Sequence, residues 1–339
     1  MEKKVYDFNF RGRKLSVELN EVGKQAQGAC VVRYEDTCIL SVCCVGKDPI
    51  TQDFFPLTVL YQEKMYSNGM IPGGWLRREG KATEHETLCS RLIDRPLRPL
   101  FKDGFRNEVQ VINMVLSCNP DHSPQMAALF GSSLCLALGG VPIEAPIAGV
   151  NIGRVNGEFI VNPTQAQKEL SDLDLTVSAT KDAINMVECG AKEVNEDDMC
   201  DALLYAHEAI KELIAFEEEV IAENAKETLE IEYKTVSQDI IDFVTPLSKE
   251  RIEKSVSIVE KLARANAIEA IEKEVAELCV NHFKENGVTD KDELKQIEVD
   301  AISVMEGFMV NEVRRLILED KVRPDGRKVN EIRPLHAQI

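Results

Sequence analysis

No stretch of the 339-residue chain approaches the ~18 consecutive apolar residues a membrane-spanning helix needs, and no charged, then apolar, then small-residue leader opens it. The expectation is a cytoplasmic protein with no membrane partner. Cys-x-x-Cys is also missing, and no cysteine–histidine cluster has zinc-site spacing, so the ten cysteines do not read as a metal centre. Cys30, Cys38, Cys43, Cys44, Cys118 and Cys135 fall within apolar segments, where a free thiol packs as a small hydrophobe. Positive charge is scarce too: 40 Lys and Arg against 58 Asp and Glu leave a net charge of -18. A uniform deficit would argue against a nucleic-acid partner, but the deficit is local. Residues 182–300 hold 31 acidic and 13 basic side chains, so 58 - 31 = 27 acidic and 40 - 13 = 27 basic ones share the rest. The acidity belongs to one region and says nothing against anion binding in the other.

What is present falls into two parts, and the length suits two or three domains. The first part reads as mixed α/β. Leu15, Val17 and Leu19 alternate with polar residues at the period of a half-buried strand. Runs at 30–34 and 37–45 flank Glu35-Asp36 as a hairpin, and 108–118 reads as a further strand. A helix is predicted over 125–138, ended by Gly139-Gly140. Asn156-Gly157 tolerates the positive φ angles of a tight hairpin between 147–153 and 158–161. Segments 173–179 and 183–189 pair again, and Asn195 precedes a long helix to about Glu223.

After a Thr/Ser/Pro-containing stretch at 235–248, residues 249–283 and 291–318 have helical spacing. Asn286-Gly287 breaks them, with Thr289 or Asp290 as the second cap. This predicts a small all-helical domain whose charge is a solvated face. Val322-Arg323-Pro324-Asp325-Gly326-Arg327 then opens a turn-rich segment that stops at Ile339 before completing a strand, the ending expected of a piece of a longer protein.

The densest chemistry lies between Ile71 and Phe101. Ile71-Pro72-Gly73-Gly74-Trp75-Leu76-Arg77-Arg78-Glu79-Gly80 places glycines on both sides of an aromatic, an aliphatic and two arginines. On a flexible loop this suits single-stranded nucleic acid, with the ring on a base and guanidinium groups on phosphate. The competing reading is a buried Trp75 that anchors a loop carrying surface arginines. Thr83 and Glu86 fit a capping box, and the helix they start is expected to end at Asp94-Arg95, before Pro96. Arg91 and Arg95 share one face of it and Arg98 follows just beyond its end. Three guanidinium groups along one side can hold successive phosphates, or they can pair with Glu84, Glu86 or Asp94. His85 reads as a solvent-facing helix residue without a positioned catalytic partner. Gly131-Ser132-Ser133 looks like a phosphate loop but lies inside a helical run, which favours helix packing.

At Tyr61-Gln62-Glu63-Lys64, Ile71 to Gly80, Ser90 to Phe101 and Asn107 to Val111 the chain resembles the polynucleotide phosphorylases, and the likeness continues in order to Arg323-Pro324-Asp325-Gly326-Arg327. The resemblance implies an α/β (α+β) ribonuclease PH-like βαβα core, of the ribosomal protein S5 domain 2-like type, over 1–235 (about 1–143 and 144–235). An all-helical linker domain over 236–321 and the start of a second core over 322–339 follow. It implies degradation of RNA from the 3′ end, with inorganic phosphate releasing nucleoside diphosphates, in a homotrimeric ring that threads single-stranded RNA. An RNA helicase or endoribonuclease is a possible further partner. The loop Trp75-Leu76-Arg77-Arg78 is similar to the family's channel constriction, which usually carries two phenylalanines. Arg91, Arg95 and Arg98 match arginines implicated in RNA binding.

The resemblance also implies that no catalytic or metal residue lies here, because the phosphate cradle and the acids that hold Mg2+ are expected in the second core. The counterpart of that cradle is Asp121-His122-Ser123-Pro124-Gln125, where Pro124 offers no amide and Asp121 repels phosphate. The acid pair falls near Lys168 and Asp174. The implied role is RNA channel and assembly surface, inactive alone. The alternative is a non-catalytic scaffold subunit of a ring related to the exosome core.

Overall fold

The alternation at Leu15, Val17 and Leu19 forms β2 (Arg13–Leu19), paired antiparallel with β1 (Lys4–Phe10) and β3 (Gly28–Tyr34). The predicted hairpin joins β3 to β4 (Thr37–Pro49), with Glu35 at a φ of 52° in its turn. β5 (Leu57–Gln62) and β6 (Asn107–Ser117) complete a six-stranded sheet of order β1-β2-β3-β4-β6-β5, in which only β5 and β6 run parallel. Parallel neighbours need a crossover, and α1 (Glu84–Leu97) supplies it. The computed structural model describes residues 2–50 and 54–338, so Met1, residues 51–53 and Ile339 lie outside this account.

α2 (Pro124–Leu138) is buried on almost every side, as its largely apolar sequence requires. It packs on β3, β4 and β6 on one side and on β7 (Ala148–Val155) on the other. Two close approaches explain its small residues. A Cβ on Gly131 would stand 2.3 Å from Ser41 Oγ, and one on Gly28 would overlap the Cys135 carbonyl. Ser132 and Ser133 are fully buried. Asn113 donates to Ser132 Oγ at 2.8 Å and the Ile147 amide to Ser133 Oγ at 2.9 Å. The serines therefore tie a packed helix to its neighbours, as the helix-packing reading predicts.

A second sheet has the order β10-β9-β7-β8, all antiparallel, with β8 (Glu158–Val161), β9 (Leu173–Ala179) and β10 (Ile184–Ala191). Asn156 and Gly157 turn β7 into β8 at φ of 52° and 84°. The short α3 (Gln165–Leu170) precedes β9, and α4 (Glu196–Asn224), capped by Asn195, covers this sheet. All ten cysteines are free, but Cys44 is exposed and Cys118 only half-buried. Strand alternation explains Cys44: Cys43 faces α2, so its neighbour faces outward.

The chain divides into two compact units, Met1–Lys234 and Thr235–Ile339. The second is built from α5 (Gln238–Val256), α6 (Lys261–Glu285) and α7 (Lys291–Arg315) around Val244, Ile252, Val275, Cys279, Ala301 and Met305. Two expectations fail here. Residues 238–248 are helical, because Ser237 caps α5 and Ile240 and Val244 are core residues, so that Pro246 is carried inside the helix. The helix expected over 249–283 is broken at 257–260, where the Glu260 carboxylate accepts the Leu262 and Ala263 amides and starts α6. Asp290, not Thr289, caps α7.

Candidate nucleic-acid interface

The chain leaves β5 at Gln62 and does not return to regular structure, apart from one short turn at Met65–Asn68, until α1. The loop between them exposes Met65, Tyr66, Met70, Ile71, Trp75 and Leu76, with Trp75 at 98% and Leu76 at 75% exposure. Trp75 therefore anchors nothing, and the buried-anchor reading is excluded. A tight turn, in which the Arg77 amide donates to the Gly74 carbonyl at 2.9 Å, presents the tip. Arg77 and Arg78 are exposed beside it. Six large apolar side chains are left uncovered on this one loop, an exposure of the kind that suits a contact surface.

α1 begins with the predicted capping box: Thr83 Oγ1 accepts the Glu86 amide and the Glu86 carboxylate accepts the Thr83 amide. The helix does not end before Pro96. It carries a buried Pro96 and runs to Leu97, then tightens through Arg98–Leu100. The Pro96 carbonyl accepts Asn185 Nδ2 from β10 at 3.0 Å, so tertiary contact overrides the local preference of the residue before proline.

The arginines on this helix have different surroundings. Arg91 is exposed and has no ion-pair partner among the described residues. Arg95 reaches Glu188 on β10 at 2.9 Å, with both side chains about half exposed. Arg98 binds the two Asp94 oxygens at 3.1 and 2.8 Å, donates to the Phe55 and Leu57 carbonyls, and lies over the Phe55 ring at 5.6 Å. The ion-pair reading thus describes Arg98 with Asp94, while Glu188 was not foreseen because it lies far along the chain. His85 is exposed, with Nε2 at 3.5 Å from Glu63.

The residues expected as counterparts of the phosphate cradle and the acid pair lie elsewhere in this unit. Pro124 is the first residue of α2, and Asp121 accepts the Gln165 amide at the start of α3 at 2.8 Å. Lys168, Ser171, Asp172, Asp174 and Lys192 line a cleft of about 350 Å³. Asp172 is held by Arg154 at 2.7 and 2.9 Å, and Lys192 donates to the Ser171 carbonyl. That leaves Asp174 in a cleft also lined by Lys168 and Lys192, a set that does not fit a divalent cation.

Residues 11–142 match the 3′ exoribonuclease family, domain 1, and residues 145–209 its domain 2. Residues 239–328 match the RNA-binding domain of polyribonucleotide nucleotidyltransferase. Proteins named polyribonucleotide nucleotidyltransferase from Streptococcus gordonii and Streptococcus sanguinis are 51% and 50% identical over 339 residues, all of this chain and 46% of theirs. The Bacillus licheniformis protein of that name is 49% identical over 338 residues, covering 47% of its length. Among solved structures, rice Rrp46 aligns with 64% of the chain and 94% of its own at 14% identity and a TM-score of 0.48. The chain spans about half the length of the curated relatives it matches. With two ribonuclease PH-type domains followed by the helical RNA-binding domain in that order, the chain belongs to the polyribonucleotide nucleotidyltransferase family.

Proposed function

We propose that this chain is the RNA-guiding part of a 3′-to-5′ phosphorolytic exoribonuclease, in which inorganic phosphate attacks the terminal linkage and nucleoside 5′-diphosphates leave. The observation that carries the reading is the bare tip: Trp75 is 98% exposed and is followed at once by Arg77 and Arg78. An indole offers a stacking face to any base, and guanidinium groups beside it meet the backbone, so the contact is tolerant of sequence. Leu76 adds apolar contact without stacking. Arg91 is the helix arginine most ready to take a phosphate. Arg95 must exchange Glu188 for one, and Arg98, gripped by Asp94 and two carbonyls, contributes least.

The phosphate pocket and the Mg2+ that offsets charge on the attacking and leaving oxygens belong to the part of the protein beyond this chain. The segment 322–339 opens that further core, and the first core with the helical unit supplies assembly surface for a cytoplasmic homotrimer. An RNA helicase or endoribonuclease is a further partner for the assembled ring.

The test is fluorescence anisotropy of a labelled single-stranded RNA with the 339-residue chain, beside an assay for phosphate-dependent diphosphate release. Trp75→Ala should weaken binding about tenfold, the scale of one lost base stack. Binding should fall with salt, and no diphosphate should be released. Affinity indifferent to both Trp75→Ala and salt removes the guiding role; release by the chain alone places chemistry in the first core.

A further inference from the structure

Beyond the buried Ser67, whose carbonyl accepts the Cys118 amide at 3.2 Å, the loop has no packing of its own and has to be held at its base. From Asn68 to His85 every residue except Pro72 is exposed, so nothing within the tip fixes the direction in which Trp75 points. The two ends, however, meet on one side chain. Glu86 Oε1 accepts the Glu63 amide at 2.9 Å, while Oε2 accepts the Thr83 amide at 2.7 Å and the Thr83 hydroxyl at 3.0 Å. Glu63 and Thr83 are the residues that immediately flank the 64–82 excursion. Lys64 Nζ stands 3.9 Å from the same carboxylate, which is only 3% exposed.

Helix capping needs only the Thr83 side of this arrangement. The bond to Glu63 crosses the neck of the loop and contributes nothing to the cap. A second rung lies just above it, where Glu79 accepts the Met65 amide at 2.9 Å. Below it, Ser90 Oγ accepts the Tyr61 amide at 3.0 Å and fixes β5 to α1. The neck is therefore laddered by side-chain oxygens that accept backbone amides, with the buried and doubly engaged Glu86 as the central rung. Joining the ends removes much of the freedom the loop would otherwise have to surrender when its tip binds a strand.

We propose that Glu86 is a positioning residue whose carboxylate latches the two ends of the 64–82 loop, holding the tip that bears Trp75, Arg77 and Arg78 in one orientation toward single-stranded RNA. The RNA half of this statement rests on the guiding role proposed above, and the latch itself does not.

Trp75 is the chain's single tryptophan, so its fluorescence reports the tip alone. Time-resolved tryptophan anisotropy is compared for the wild-type chain, Glu86→Gln and Thr83→Ala. Glutamine nearly keeps the shape but turns an amide group against one of the two backbone donors, so the neck opens. Thr83→Ala removes the capping hydroxyl and leaves both latch bonds in place. Glu86→Gln should free fast rotation of Trp75 and weaken RNA binding about five- to tenfold, the scale of one charge-assisted hydrogen bond. Thr83→Ala should lower the melting temperature and leave Trp75 as ordered as before.

Unchanged Trp75 depolarisation in Glu86→Gln overturns the latch. A loosened tip with undiminished RNA affinity, where Trp75→Ala does weaken binding, overturns the positioning role. If Trp75→Ala leaves RNA binding intact, the guiding role fails while the depolarisation still decides the latch. Should Glu86→Gln not fold, Glu79→Gln breaks the exposed second rung and is expected to loosen Trp75 to a lesser degree; no loosening there counts against the ladder.

Discussion

Glu86 in the first turn of α1 and Glu217 in the middle of α4 are both shielded from water, at 3% and 0% exposure, and their surroundings are opposite. Burial alone would raise both carboxyls. At Glu86 the amides of Thr83 and Glu63, the Thr83 hydroxyl and Lys64 outweigh burial and hold the group below the ordinary carboxylate range. At Glu217 neither oxygen has a hydrogen-bond partner among the described residues. Burial pushes it well above that range; the nearby Ser133 hydroxyl, which already accepts the Ile147 amide, lowers it without forming a bond, and Glu218 adds to the rise. The difference follows from backbone position. A helix start has free amides to offer, and a helix middle has spent all of its own. Depth does not decide whether a buried acid is charged; the local supply of donors does.

Emptying the satisfied site should have the largest effect. Glu86→Leu strands the Glu63 and Thr83 amides and removes half of the capping box, which should cost about 2–4 kcal/mol. Urea denaturation followed by far-ultraviolet circular dichroism reads it as a lower midpoint. A loss below about 1 kcal/mol would mean that water replaces the carboxylate and that the neck is looser than its hydrogen bonds imply. The pH sign is that of a depressed acid: the contribution of Glu86 is present above its ordinary value of 4.5 and is lost as pH falls through its lowered folded value.

Removing the unsatisfied acid should act in the other direction and more weakly. Glu217→Gln should stabilise the chain by about 1–3 kcal/mol at neutral pH, because a neutral side chain needs no proton to enter the core. Folded Glu217 binds a proton that the unfolded chain releases above 4.5, so its penalty is absent below that pH and grows as pH rises toward the raised folded value. The wild-type stability curve should therefore slope downward over that window, and the Gln variant should be flatter. Parallel curves would mean that Glu217 is charged in the fold and finds a partner there.

The same two residues mark how far the sequence could be read. The Thr83–Glu86 box was legible because both partners sit within one helical turn, and Asn156-Gly157 because its backbone preference is local. The Glu63 bond to Glu86 was not legible, since it depends on β5 ending beside α1. Glu217 stands in a run of three acids, Glu217-Glu218-Glu219, that looks like a solvated face; only the packing of α4 turns one of them inward. Pro246 and Glu260 misled for a related reason. The Thr/Ser/Pro content set 235–248 apart from the helical run and the spacing of 249–283 ran straight through Glu260, whereas burial of Ile240 and Val244 carries α5 through Pro246 and the Leu262 and Ala263 amides make Glu260 a cap. At the candidate interface, the Trp75 tip and the arginine row were visible as residue types. What separates Arg91, Arg95 and Arg98 is distant contact with β10 and with the strand entry at Phe55, which spacing does not encode.

Glu188 provides a third acid to set beside those two, this time in water, and the smallest expected effect on stability. Its pair with Arg95 has both side chains about half exposed, at 49% and 58%, so solvent screens it. Glu188→Ala should change stability by less than about 1 kcal/mol. Its effect on RNA should be the reverse of a loss, because it frees the Arg95 guanidinium for phosphate. Affinity should rise a few-fold, and the salt dependence should steepen by about 0.7 per logarithmic unit of salt, the share of one added phosphate contact on a single strand. The same substitution made in an Arg95→Ala background should bring no gain. A gain that persists there would show that deleting a negative charge, and not releasing Arg95, improves binding, and would leave Arg91 as the helix arginine that meets the strand.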